Sequence, residues 1–145
     1  MKGLLQRVKS ASVSINSDVY AEIQNGILLF LGVEKLDNEL QIQKMARKIF
    51  NYRIFPDADG KMNKSLADTK GELLVVSQFT LVADTAKGNR PGFSKGATPE
   101  HGEQIYQAFV EHVNTNYRSC QTGVFGADMA VTLVNDGPVT FWLET

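Results

Sequence analysis

The sequence predicts one α+β domain on a mixed, largely antiparallel sheet, and three features carry that reading. Apolar runs of strand length recur along the whole chain, within 4–15 and at 19–23, 27–33, 73–76, 129–134 and 141–143. Two longer segments, 38–52 and 98–117, instead space their apolar residues for helices. No internal repeat divides the chain, and 145 residues suffice for one sizeable core, so a single domain spans 1–145.

Residues 4–15 alternate loosely, with Leu4 and Val8 on one parity and Val13 and Ile15 on the other, which reads as a bent strand or two strands. Asn16-Ser17-Asp18 is a turn signal before a short strand at 19–23. Asn25-Gly26 then reads as a type I′ hairpin turn into 27–33, the expected central strand. Asp37 or Asn38 caps a helix running to about Tyr52, with Leu40, Met45, Ile49 and Tyr52 inward and Lys44, Arg47 and Lys48 outward. Residues 53–55 are extended and 56–60 form a turn; Asp57-x-Asp59-Gly60 lacks the downstream ligands of a calcium loop. The polar stretch 61–70 reads as loop.

Leu73 to Val76 is a continuous apolar run, as in a strand covered on both faces, and it runs straight into Ser77-Gln78-Phe79-Thr80. Backbone N–H groups leaving a sheet at such a point can be aimed at an oxyanion. The stretch 84–97 is rich in glycine and cations and has no period; Lys87, Arg90 and Lys95 either meet phosphates or sit on a solvated loop. Its glycines do not make a P-loop, because no Gly-Lys-Ser/Thr closes the motif. Thr98 caps a second helix, with Pro99 and Glu100 in its first turn and a stripe of Ile105, Tyr106, Phe109, Val110 and Val113. His112 beside that stripe reads as a partly buried structural histidine. Strands at 129–134 and 141–143 close the chain, with Asn135-Asp136-Gly137-Pro138 as the turn between them.

Apolar residues at 43% and charged residues at 21% describe an ordinary soluble globule. No run is long enough to span a membrane and the first residues are strand-like, so a cytoplasmic protein is expected. One cysteine, Cys120, and two histidines, His101 and His112, on one helix give no disulfide and no metal cluster, so neither metal nor cofactor is expected. A net charge of −1 gives no global attraction to nucleic acid and argues against a general RNA-coating protein. Ser77 or Thr80 as a hydrolase nucleophile lacks a Gly-x-Ser-x-Gly elbow and a loop histidine; ordinary strand-end hydrogen bonding is the alternative.

Together, Ser77-Gln78-Phe79-Thr80-Leu81 and Asn135-Asp136-Gly137-Pro138-Val139-Thr140 resemble the two signature motifs of the D-aminoacyl-tRNA deacylase family. The likeness spans the chain, through Gln6-Arg7-Val8, Leu31-Gly32-Val33, Tyr52-Arg53-Ile54-Phe55, Gly60-Lys61-Met62-Asn63, Arg90-Pro91-x-Phe93 and Gly123-x-Phe125-Gly126-Ala127-x-Met129. Gly92 departs from the serine more usual there.

The resemblance implies a barrel-like core packed with two main helices, a homodimer, and hydrolysis of the ester joining a D-amino acid or glycine to the terminal adenosine of tRNA. It further implies a cis bond at Gly137-Pro138, reaching into the other subunit's pocket, where its carbonyls crowd the place of an L side chain. Amides around Gln78 and Phe79 would hold the oxyanion, with Phe79 or Leu81 packing the turn. Water would attack, assisted by the substrate's 2′-hydroxyl, which also separates RNA from DNA. Ser77 and Thr80 become positioning residues, with Thr80 as nucleophile left open. Ala97, Phe125 and Met129 match pocket-lining positions, simple core packing being the alternative for the last two. Arg7 matches a position near the Gly-Pro element. Neither DNA nor membrane is an expected partner. A dimeric module that grips an RNA end or nucleotide without turnover is the non-enzymatic alternative.

Overall fold

The computed structural model describes residues 1–86 and 88–145, so the expectation for Lys87 lies outside the described residues. Its first strand, β1 (Lys2–Ile15), is one 14-residue strand rather than two. Asn16 and Ser17, at φ 51° and 71°, form the tight turn into β2 (Asp18–Ile23), as two positive φ values in a two-residue hairpin require.

The hairpin expected at Asn25-Gly26 does not exist. β2 and β3 (Gly26–Gly32) both pair antiparallel with β1 in one continuous register, Ala11 opposite Ile23 and Val8 opposite Gly26, so β3 prolongs the path of β2. Gly26 answers a different need: a Cβ there would lie 2.0 Å from the Glu72 carbonyl oxygen of the neighbouring strand. That strand, β6 (Glu72–Ser77), pairs parallel with β3 from Gly26–Glu72 to Leu31–Ser77. Beyond it β7 (Gln121–Thr122) is also parallel.

Each parallel step needs a crossover, and helices supply them. α1 (Glu39–Asn51) joins β3 toward β6; Asn38 caps it, accepting from the Leu40 amide, with Gln41 reaching back to complete the capping box. Its inner face is Ile42, Met45, Ala46, Ile49 and Phe50. Leu40, expected inward, is 51% exposed, because the stripe begins one turn position later. α2 (Pro99–Asn116), capped by Thr98, joins β6 to β7 and buries Gly102, Tyr106, Phe109 and Val113. The stretch 61–70 is not all loop: β4 (Phe55–Pro56) and β5 (Met62–Lys64) make a small ribbon, and Ser65 and Leu66 are buried.

The closing strand, β8 (Ala130–Glu144), is a single 15-residue strand antiparallel to β1, replacing the two strands and turn expected there. One apolar cluster fills the space between the sheet and both helices. A second, with Val8, Val13, Ile23, Leu28, Leu74 and Val76, lies on the sheet's other face, enclosed by its curl into a nearly closed barrel.

Gly26→Ala forces a side-chain carbon into Glu72's backbone and should lower the unfolding free energy by about 3 kcal/mol, read as the shift in urea midpoint. Gly60→Ala, at φ +78° with nothing within 4 Å, should cost only about 1 kcal/mol.

Candidate functional site

The last rung of the parallel pairing decides where the chain opens. The Gln78 amide donates to the Leu31 carbonyl at 2.8 Å, and the chain then leaves the sheet as a single 3₁₀ turn, Phe79–Val82. The opening amides of such a turn have no internal acceptor. Among the described residues, those of Phe79 and Thr80 find none elsewhere. The donors available at this strand end are therefore Phe79 and Thr80; the Gln78 N–H, expected among them, is spent on the sheet.

Beside this turn lies a cavity of about 530 Å³ at the carboxyl ends of β3 and β6. Its floor is Leu31, Val76 and Ser77, one wall is Val33, Gly96 and Ala97 with the first turn of α2, and the other is Phe125 to Met129. The first wall is held by backbone bonds from Ala97 to Val33 (3.1 Å) and from Lys35 to Lys95 (3.3 Å). Phe79 and Phe93, 66% and 43% exposed, meet at the mouth with ring centroids 5.1 Å apart. The second wall is braced from below. The Tyr106 hydroxyl donates to the Val75 carbonyl at 2.9 Å and its ring lies 5.8 Å from Phe125; burial raises its pKa well above the usual phenol. Gly102 leaves the room that Phe125 fills, since a Cβ there would sit 3.3 Å from the ring.

Of the residues expected from sequence, Ser77, Gln78, Phe79, Ala97, Phe125 and Met129 converge on this cavity. Thr80 does not line it: the residue is exposed and its hydroxyl accepts from Gln78 Nε2 at 2.6 Å. Neither histidine lines it either; His101 Nε2 bonds the Asp37 carbonyl at 3.1 Å, and His112 sits by Asn116 and Glu39. The histidine partner of a serine nucleophile is therefore missing from the lining that holds Ser77, whose one ionisable side chain among the described residues is Asp128. Sequence reasoning missed Phe93, Gly102 and Tyr106; the helical stripe showed that Tyr106 was buried, but nothing showed what its hydroxyl would meet.

Gly137, Pro138 and Arg7 form a separate feature. Thr140 pairs with Gln6 and Asn135 with Val8, so residues 136–139 all stand opposite the single Arg7 and bulge from the ladder, whose register shifts once more between Val8 and Ser10. The Gly137-Pro138 bond is cis, with Gly137 at φ +131° and both residues exposed. Arg7 latches the bulge: Nε donates to the Asp136 carbonyl at 3.1 Å and lies 3.0 Å from its carboxylate, while Nη1 donates to the Ile54 carbonyl. None of the cavity-lining residues belongs to this bulge.

No group of three or more His, Cys, Asp or Glu side chains among the described residues could hold a metal. No helix among them is long and apolar enough to cross a membrane. Burial pushes the Cys120 thiol up to about 11, and the residue does not line the cavity. At pH 8 its alkylation by iodoacetamide should run about 100-fold slower than that of an unshifted thiol, rising with pH as the thiolate appears; mass spectrometry of the adduct over time gives the rate.

A family profile described as D-Tyr-tRNA(Tyr) deacylase matches residues 4–144. The D-aminoacyl-tRNA deacylase of Alteromonas mediterranea is 59% identical over 141 residues, 97% of each chain. That of Escherichia coli O81 is 53% identical over 144 residues, 99% of each. Among solved structures, the c-Myc DNA unwinding element binding protein superposes with a TM-score of 0.96 at 41% identity, covering 100% of this chain and 99% of that one. A probable eukaryotic D-amino acid tRNA deacylase shares the fold, with a TM-score of 0.82 at 16% identity over 98% and 97% of the two chains.

Proposed function

The chain belongs to the D-aminoacyl-tRNA deacylase family and is a hydrolase of the tRNA ester bond, and from that premise we propose how its residues divide the work. The observation that carries the reading is the pair of amides, Phe79 and Thr80, unpartnered among the described residues, beside a cavity that neither histidine lines. The terminal adenosine and its aminoacyl ester enter between the Phe79–Phe93 mouth and the Phe125–Met129 wall. The two amides take the carbonyl oxygen as it becomes an oxyanion. Water attacks the carbonyl carbon, the substrate's 2′-hydroxyl helps move its proton, and the C–O bond to the ribose breaks to give free amino acid and tRNA. Ser77 and the Gln78–Thr80 side-chain pair position the turn.

Chirality is sensed by the bulge of a second subunit. Gly137 and Pro138 are exposed on their own subunit and supply no wall to its cavity, which supports a role in another copy's cavity. There the carbonyls crowd the place of an L side chain, while a D residue turns its side chain away; glycine, including glycine mischarged on alanine tRNA, also passes. Arg7 sets the angle at which the bulge is presented. An exposed Val134 (51%) and Trp142 (46%) on β8, which among the described residues pairs with β1 alone, suit a face covered by a partner.

Incubation with D-Tyr-tRNA and L-Tyr-tRNA should release the amino acid from the D form alone; protection of both esters would favour a binding module. Thr80→Ala should retain D-substrate kcat within about tenfold, because truncating the hydroxyl spares the amide; a loss of several orders of magnitude would make the hydroxyl the nucleophile. At Gly137 a Cβ would lie 2.8 Å from Val139 Cγ2 and 3.3 Å from Arg7 Nη2. Gly137→Val should therefore abolish D-substrate cleavage, and mixing it with a Phe79→Pro protein, which lacks the amide there, should restore a fraction through hybrid dimers. No recovery at any mixing ratio would mean that each subunit works alone.

A further inference from the structure

We propose that Lys35, Arg90 and Lys95 form a cationic rim that grips the backbone phosphates of the tRNA 3′ strand as it enters the cavity; the proposal rests on the deacylase reading. Lys95 stands between Phe93 and Gly96, both of which line the cavity, and its side chain is 65% exposed. The Lys35 amide donates to the Lys95 carbonyl at 3.3 Å, so the two ammonium stems leave neighbouring points of the backbone. Arg90 is exposed two residues before Gly92, whose backbone is tied to that of Asp84 by paired bonds of 2.7 and 2.9 Å. This part of the rim is anchored although it carries little regular structure.

The charges are available. Among the described residues neither Lys35 nor Arg90 is ion-paired. Lys95 lies 3.5 Å from Asp84, an exposed pair of the kind that contributes little and that a phosphate can displace. The acids flanking Lys35 in the chain, Glu34 and Asp37, both hold the Met1 amino group. Inside the cavity the lining carries one ionisable side chain among the described residues, Asp128. A carboxylate there repels phosphate, so the strand's charge belongs at the mouth while the neutral base and ester go inside. A separate set of cations, Lys44, Arg47 and Lys48 on α1, borders grooves that share no residue with the cavity and provides a charge-matched control.

The test compares kcat/KM for D-Tyr-tRNA with that for the D-Tyr ester of adenosine, which has no phosphate. K35A/R90A/K95A should lose at least tenfold on the tRNA at low salt and stay within twofold on the adenosine ester. The slope of log kcat/KM against log salt on the tRNA should flatten by about 2, roughly 0.7 for each single-strand phosphate contact removed. Equal losses on both substrates, no loss on the tRNA, or the same loss from K44A/R47A/K48A would overturn the rim. A wild-type protein that leaves both esters intact would instead overturn the hydrolytic reading beneath it.

Discussion

Everything at the site depends on the parallel pairing of β3 with β6. Leu28, Leu29, Leu74 and Val75 are fully buried, so this pair is sealed on both faces and can neither slide nor fray without exposing core. Two parallel neighbours end at the same side of a sheet. Their carboxyl ends at Leu31 and Ser77 therefore lie together, and the crossovers needed to keep β3, β6 and β7 parallel must leave from that edge and return to the opposite one. The α2 N-terminus arrives there with its Thr98 cap, and the cavity is the space left between strand ends and helix start. The bond from Gln78 to Leu31 extends the ladder by one more rung, which fixes the residue at which amides first become free.

A second rigid framework, the β1–β8 ladder, carries the Gly-Pro bulge in a different way. The pairs on either side, Gln6–Thr140 and Val8–Asn135, are two residues apart on β1 and five apart on β8. The excess has nowhere to go except outward. Because both flanks belong to one pair of long strands, the bulge cannot swing as a free loop would, and Arg7, at the one position that faces it, ties its first residue to the Ile54 carbonyl. The role proposed for the bulge, a backbone reader of side-chain handedness, would need this fixity, since a shift of about an ångström would admit the wrong isomer.

Where local chemistry decides structure, the sequence was readable. The cap at Thr98, the choice of Asp37 or Asn38 for the other, the inward Met45, Ile49, Tyr106, Phe109 and Val113, and the buried strand at 73–76 follow from residue types within a few positions. The failures share one cause, a local signal answering a distant partner. Asn25-Gly26 has turn composition, yet Gly26 is set by Glu72's backbone, 46 positions away. Residues 135–138 have turn composition too, but β1 pairs with both sides of them and makes one bulged strand of what reads as two. Short ribbons such as β4–β5 carry no period to detect. Within the site, the motif residues named the strand end correctly but misassigned one donor, because whether an amide is free is a fact about its neighbour's carbonyl.

A lining whose one ionisable side chain among the described residues is Asp128 fits the chemistry proposed for it. An aminoacyl ester is already activated and brings its own vicinal hydroxyl, so the demand on the protein is orientation and stabilisation of a developing oxyanion. Two fixed amides against an apolar wall supply that better than they would in water, where the solvent would weaken their field. Affinity for a polyanion is a different task, best done by exposed, flexible cations that tolerate many strand conformations. Separating the two keeps positive charge away from the amides, so substrate capture at the mouth does not disturb the geometry on which selection inside depends.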